Sequence, residues 1–262
     1  CTNLLPFTGI ASLQCSRLRN SLVRAHSQTV RLRRFSEKFP SNEHIRRFIS
    51  ENTELAGEQS LTPEMKLRLF TPGCRFWTER AELWPFDDPY WAIYWPGGQA
   101  LSRYLMDHPD VCVGKAVLDL GSGCGASAIA AKICGSAHVV ANDIDPLAAV
   151  VTQMNSELNK VEPPVCLTSN MIGSDPEGFD LILLGDMFYD ECLADSLHSW
   201  LDSCIKTHKT KVLIGDPGRA PFEGHDVRKH LHHLARFELP ECVREENYGL
   251  TTSDVWRYHP EL

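Results

Sequence analysis

The sequence predicts an α/β fold built on a doubly wound, mostly parallel sheet, with an N-terminal extension ahead of it. Two observations predict it. From residue 115 onward, short apolar runs alternate with helical stretches. A glycine-rich turn, Asp119-Leu120-Gly121-Ser122-Gly123-Cys124-Gly125, closes the first run and opens a helix. Strand-helix alternation joins parallel strands, and the crossovers are expected to be right-handed. Ligands in such sheets bind outside the carboxyl ends of the strands.

Residues 1 to 37 read as a leader. Six arginines (Arg17, Arg19, Arg24, Arg31, Arg33, Arg34), many Ser and Thr, and no Asp or Glu in residues 1–36 match a mitochondrial transit peptide. A disordered basic arm for nucleic acid is the alternative. The chain carries a net −8, so the part after residue 36 carries −14, which argues against nucleic acid as the main partner. No apolar run approaches the ~18–20 residues of a membrane span, and a soluble protein is expected. The extension, 38 to 112, holds a helix over 41–55 and a strand over 64–70, where Met65, Leu67 and Leu69 alternate. An aromatic-dense stretch, 76–95, and a helix over 99–106 follow.

Residues 113 to 262 form the main domain. Strands are expected at 115–121, 137–143, 164–170, 179–186 and 211–216, with helices over 125–134, 146–159, 191–205 and 224–235. Two last strands fall near 236–243 and 250–258. The ten cysteines form no C-x-x-C pair and read as free thiols of a reducing compartment. His230, His232 and His233 lack nearby Cys or acid at metal spacing and read as a helix surface, so no metal is expected.

The glycine turn alone supports only a nucleotide-type cofactor. Gly121, Gly123 and Ala126 also satisfy the looser G-x-G-x-x-A dinucleotide pattern. Asp143 follows Gly123 by 20 residues and can accept from both ribose hydroxyls, which suits NAD equally. Asp119 directly before the glycines, and Gly185-Asp186-Met187-Phe188-Tyr189-Asp190 closing the fourth strand, favour S-adenosylmethionine. Asn170 ends the third strand, where it could bond the adenine amine or simply form a turn.

Methyl transfer from a sulfonium is a one-step displacement, so the work is alignment and desolvation of the nucleophile. A lysine amine of reference pKa about 10.4 is neutral in only roughly one molecule in 2,500 at pH 7. Asp186 could receive and orient the ammonium, and Tyr189 could bond the amine. A carboxylate favours the charged form, so Asp186 does not by itself explain deprotonation. Its alternative role is N-cap of the following helix. Trp95, beside Pro96-Gly97-Gly98, could close the cofactor pocket or hold a cation on its ring; packing of the extension is the alternative. Asp216-Pro217-Gly218 is first a turn signal, and Asp216 or Arg219 could touch substrate from the same rim.

WAIYWPGGQALSRYL, VLDLGSGCGASAIAAK, ANDID, LGDMFYDE and IGDPGR, within about 62 to 258, resemble the seven-β-strand methyltransferases. Specifically, they resemble the protein-lysine methyltransferases with an Asp-x-x-Tyr motif. The resemblance implies a Rossmann-like fold, S-adenosyl-L-methionine as donor and S-adenosyl-L-homocysteine as product. It implies the mitochondrial matrix and methylation of adjacent lysines of the electron transfer flavoprotein beta subunit, dampening electron transfer from acyl-CoA dehydrogenases. Carried onto this chain, Asp119, Gly121, Gly123 and Asp143 hold cofactor, with Trp95, Asn170 and Asp186 beside it. Asp186 and Tyr189 face the lysine. The expected partners are that flavoprotein subunit and matrix chaperones, with no nucleic acid, no membrane and a monomeric chain. Another mitochondrial protein or a small-molecule nucleophile is the alternative substrate. Against a non-catalytic module stand the intact glycines and Asp143.

Overall fold

A computed structural model describes residues 41–80, 83–247 and 249–260; the expected leader lies outside the described residues. One unit comprises 41–54 and 70–90, and a second comprises 55–69 with the chain from 91 onward. In the first, helix α1 (Asn42–Asn52) starts where the Ser41 hydroxyl accepts from His44 N, and it buries Ile45 and Ile49 one turn apart. A short helix α2 (Arg75–Thr78) follows. Phe48, Phe70, Phe76 and Phe86 pack with ring centroids 5.1–6.1 Å apart, and Trp84 stacks on Phe86. The aromatic stretch therefore divides. Its first half makes this unit's core, while Trp91, Tyr94 and Trp95 belong to the second unit.

The second unit opens on the paired strands β1 (Glu54–Ala56) and β2 (Leu67–Leu69). Helix α3 (Pro96–Asp107) comes next, then β3 (Ala116–Leu120), α4 (Ala126–Ile133), β4 (His138–Asn142), α5 (Pro146–Leu158) and β5 (Val165–Leu167). Then follow β6 (Leu181–Gly185), α6 (Glu191–His208), β7 (Lys211–Asp216), α7 (Ala220–Glu223), β8 (Leu231–Glu238), α8 (Glu241–Glu246) and β9 (Thr252–Tyr258). Seven strands form one sheet in the order β5-β4-β3-β6-β7-β9-β8. The five strands from β5 to β7 are parallel, and β9 runs antiparallel to both its neighbours.

Alternation along the strands builds two apolar layers. Val117, Leu181, Leu183 and Leu213 face α3 and α4, with Leu101, Leu105, Ala128 and Ile129. Leu118, Ile182, Leu184, Val212 and Ile214 face α6, with Leu197, Trp200 and Leu201. Because Leu101 and Leu105 lie in the core of the sheet, α3 is part of the main domain, and the expected boundary at 112 falls too late.

The helix expected over 224–235 is a second difference. Residues Asp226–His230 form one 3-10 turn and β8 begins at Leu231. The register against β9 shifts between His233 and Ala235, a bulge. It spaces the inward Leu234 and Phe237 three apart, which imitates a helical period. His232 and His233 thus lie on an edge strand, and His233 Nε2 meets Asp254 Oδ1 at 2.7 Å. The eight described cysteines are all free thiols.

The first turn of α3 lies directly on the ends of β6 and β7. A Cβ added to Gly97 would fall 2.2 Å from Gly215 O, one on Gly215 2.1 Å from Gly97 O, and one on Gly185 2.8 Å from Gly98 Cα. These are backbone contacts that no rotamer change relieves. By contrast, a Cβ on Gly98 meets only Tyr94 Cε2 at 3.9 Å. Gly215→Ala should therefore cost about 1–3 kcal/mol in urea unfolding. Gly98→Ala should be neutral or stabilising by up to about 1 kcal/mol.

Candidate active site

The glycine turn bridges β3 and α4 in a left-handed conformation at Gly121 (φ 71°), Gly123 (φ 52°) and Gly125 (φ 81°). Strand ends are stitched together around it. Gly121 N and Ser122 N donate to Asn142 O (2.8 and 3.0 Å), and Asn142 Nδ2 donates to Leu167 O and Ser169 O (2.9 and 2.8 Å). The half-buried Asp143 accepts from Gly123 N with one oxygen (2.9 Å) and from Asp145 N with the other (3.0 Å). The turn is thus held by the end of β4 and by Asp143 just after it, together with its own bond from Gly125 N to Ser122 O (2.8 Å).

A cleft open to solvent lies over it. Ile93, Tyr94, Trp95 and Gly98 line one side; Asp119, the glycine turn, Ser127 and Gly185 line the other. Asp119 is 2% exposed and accepts from Ala128 N at 3.0 Å, under the first turn of α4. Burial, with Asp143's charge adding to it, pushes its pKa up to about 7. Burial likewise raises Asp143. A buried acid and a half-buried one beside a glycine turn, neither paired with a cation among the described residues, suit a ligand that brings positive charge.

The loop after β6 closes the far side. Met187 Sδ would be 2.1 Å from a Cβ on Gly121. Phe188 is buried against Phe222 (centroids 5.4 Å apart), which anchors the loop and leaves Tyr189 38% exposed. Asp190, not Asp186, caps α6, accepting from Leu193 N at 2.9 Å.

Asp186 is 6% exposed and takes a left-handed φ of 56°. One of its oxygens accepts from Gly97 N and from Gly98 N (3.3 Å), at the start of α3. The other accepts from Arg219 Nε (2.8 Å) and Nη2 (2.5 Å). The same guanidinium lies 5.4 Å from the Trp95 ring centroid. Asp216 holds the Arg219 turn, accepting from Gly218 N and Arg219 N at 2.8 Å each. Its second oxygen is buried without a partner among the described residues. Burial, then the charge of Asp186, pushes the Asp216 carboxyl up to about 8.

Of the residues singled out in the sequence, Trp95, Asp119, Gly121 and Gly123 line the cleft. Asp143 borders it through Gly123. Asn170 is exposed and outside that lining, its Oδ1 accepting from Ile172 N at 3.0 Å in a local turn. Sequence reasoning missed Gly97, Gly98 and Asn142 and the pairing of Arg219 with Asp186. Paired glycines opening a helix, with Gly185 and Gly215 at strand ends, are the signal of close backbone approach that could have been read.

Residues 99–233 match the family described as Ribosomal protein L11 methyltransferase (PrmA). A Danio rerio protein named electron transfer flavoprotein beta subunit lysine methyltransferase is 65% identical over 87% of this chain and 88% of its own length. The Homo sapiens protein of that name is 59% identical over 82% of each chain. The chain belongs to the electron transfer flavoprotein beta subunit lysine methyltransferase family. A Caenorhabditis elegans homolog of this family is 36% identical over 83% of the chain and 97% of its own length. A solved candidate methyltransferase complexed with SAH shares the fold, with a TM-score of 0.53 at 11% identity over 80% of this chain and 56% of that one. As a member of this family, the chain is an S-adenosylmethionine-dependent methyltransferase. The glycine turn and the buried acid Asp119, which line the cleft together, fit that cationic cofactor.

Since Asp119 titrates higher folded than unfolded, its ionised form costs stability above pH about 4, in full above about 7. Asp119→Asn should therefore raise the unfolding temperature of the unliganded chain at pH 8, by on the order of 1–3 kcal/mol in stability. The gain should close as pH falls toward 4. The same variant should lose most of the thermal shift given by S-adenosylmethionine, read by calorimetry.

Proposed function

We propose that this chain methylates adjacent lysines of the electron transfer flavoprotein beta subunit in the mitochondrial matrix. The observation that carries the reading is the 65% identity, over most of both chains, to a relative whose name states that substrate. The −14 charge of the chain after its first 36 residues suits a lysine-rich target. The Arg- and Ser-rich start of the sequence supports the matrix location. Methylation there would dampen electron transfer from acyl-CoA dehydrogenases. The enzyme would act as a monomer, and matrix chaperones are further candidate partners.

Bound S-adenosylmethionine would supply an electrophilic methyl on a sulfonium. Asp119 would take the ammonium of its methionine end, where that charge relieves the buried acid. Asp143 would accept from the ribose hydroxyls, and Gly121 and Gly123 would let the backbone approach. Trp95 would close the cleft, and Asn170 would reach the adenine amine after a rotation of its turn. Asp186 and Tyr189 would align the lysine amine, and water would take its proton. S-adenosylhomocysteine would leave as product.

Labelled S-adenosylmethionine with purified flavoprotein tests this. The wild type should label lysines of the beta subunit. Asp186→Asn should cut the rate by about 10²-fold or more, as loss of an aligning group does. Gly121→Arg should abolish it, because φ 71° strains any side chain there and an arginine would fill the cleft that the turn lines. Label only in residues other than lysine, or a rate unchanged by both substitutions, would overturn the reading.

A further inference from the structure

We propose that Arg219 is a positioning residue for the methyl acceptor: by occupying one oxygen of Asp186 it neutralises that carboxylate, so the lysine amine beside it is received uncharged. The inference rests on the lysine reading above. A carboxylate alone raises the pKa of a neighbouring amine and holds it as ammonium, which has no lone pair to attack a methyl group. Asp186 does not stand alone. A carboxylate offers about four lone-pair directions, and here two meet Arg219 and two meet Gly97 N and Gly98 N. The α3 N-terminus adds further positive potential.

Arg219 is fixed from several sides. Its guanidinium binds Asp186, its side chain is 20% exposed, its Cζ lies over Trp95, and its backbone N–H is held by Asp216. Breaking a buried, two-point pair of this kind is costly, so displacement by the incoming lysine is disfavoured. The other charged and titratable groups at this rim do not restore a negative field. Asp216 is kept protonated near neutral pH by burial and by Asp186. Glu223 pairs with Arg228 at 3.4 Å, and Tyr189 is phenolic. Asp119 is turned under α4, where it accepts from Ala128 N, and Asp143 is bonded to Gly123 N and Asp145 N.

The test measures methylation of the intact flavoprotein with labelled S-adenosylmethionine from pH 6.5 to 9.5. It compares wild type, Arg219→Gln and Arg219→Lys, with a thermal shift on S-adenosylhomocysteine to confirm folding and cofactor binding. Arg219→Gln should lower kcat at pH 7 by about tenfold or more, since one pKa unit on the amine is tenfold in its neutral fraction. Its KM for flavoprotein should be unchanged or lower, and its rate should recover toward wild type at pH 9.5. Arg219→Lys, which keeps the charge but loses the two-point fork, should fall between wild type and Arg219→Gln at pH 7 and recover with pH in the same way. A Gln variant with unchanged or raised kcat, or with the same loss at every pH, would overturn the inference. Independently of any variant, the wild-type kcat profile should bend toward a plateau by pH 9.5, with the amine's limb at least one unit below the free value of about 10.4; a profile still rising log-linearly at pH 9.5 would also overturn it. A wild type that labels no flavoprotein lysine overturns the functional reading and this inference together. A labelling wild type with an unshifted Gln profile removes the inference alone.

Discussion

The first turn of α3 is seated on Asp186. Two backbone N–H groups, at Gly97 and Gly98, point at one carboxylate oxygen across 88 to 89 residues of sequence. A charge-assisted bond at a helix start is among the stronger polar contacts available to a chain. It forms here only because Gly97, Gly185 and Gly215 let the helix backbone touch the strand ends. Much of the rim follows from that seat. Trp95 immediately precedes α3, so the seat fixes where the ring meets the cleft. The other oxygen of Asp186 then fixes Arg219, and Arg219 lies over Trp95, closing a loop of mutual support.

Three strand ends carry acids in three different states. Asp119, at β3, is buried with a single backbone donor and titrates near neutrality. Asp186, after β6, is fully compensated by four donors. Asp216, at β7, is spent on shaping a turn and is pushed up by burial. One residue type thereby takes three states at neighbouring strand ends, with the environment deciding which. The division follows the sheet, since each acid ends a parallel strand at the same edge, where ligands of open sheets bind.

Local pattern carried the parts that local pattern specifies. VLDLGSGCGAS announces a strand, a left-handed turn and a helix in eleven residues, and Gly121, Gly123 and Gly125 take those positive φ values. Asp143 at its spacing reaches the turn. What stayed hidden depends on partners far apart in the chain. Asp186 reads locally as a substrate acid or, alternatively, a cap, and only the fold shows that Asp190 caps α6 while Asp186 bonds the start of α3 and Arg219. The edge strand β8 was illegible for another reason. Its bulge breaks the two-residue alternation by which a strand is recognised and leaves a spacing of three. Likewise, the aromatic stretch gave no sign that Phe76 and Phe86 serve one unit while Trp91 and Trp95 serve another.

The left-handed backbone of Asp186 narrows what position 186 can tolerate. That region is visited routinely by glycine and, among other residues, mainly by asparagine and aspartate. Of these, glycine carries no acceptor and asparagine no charge. Backbone shape and side-chain chemistry therefore select the same single residue by separate routes, and a substitution that satisfies one requirement forfeits the other. Sequence drift at this loop has almost no neutral neighbours to pass through.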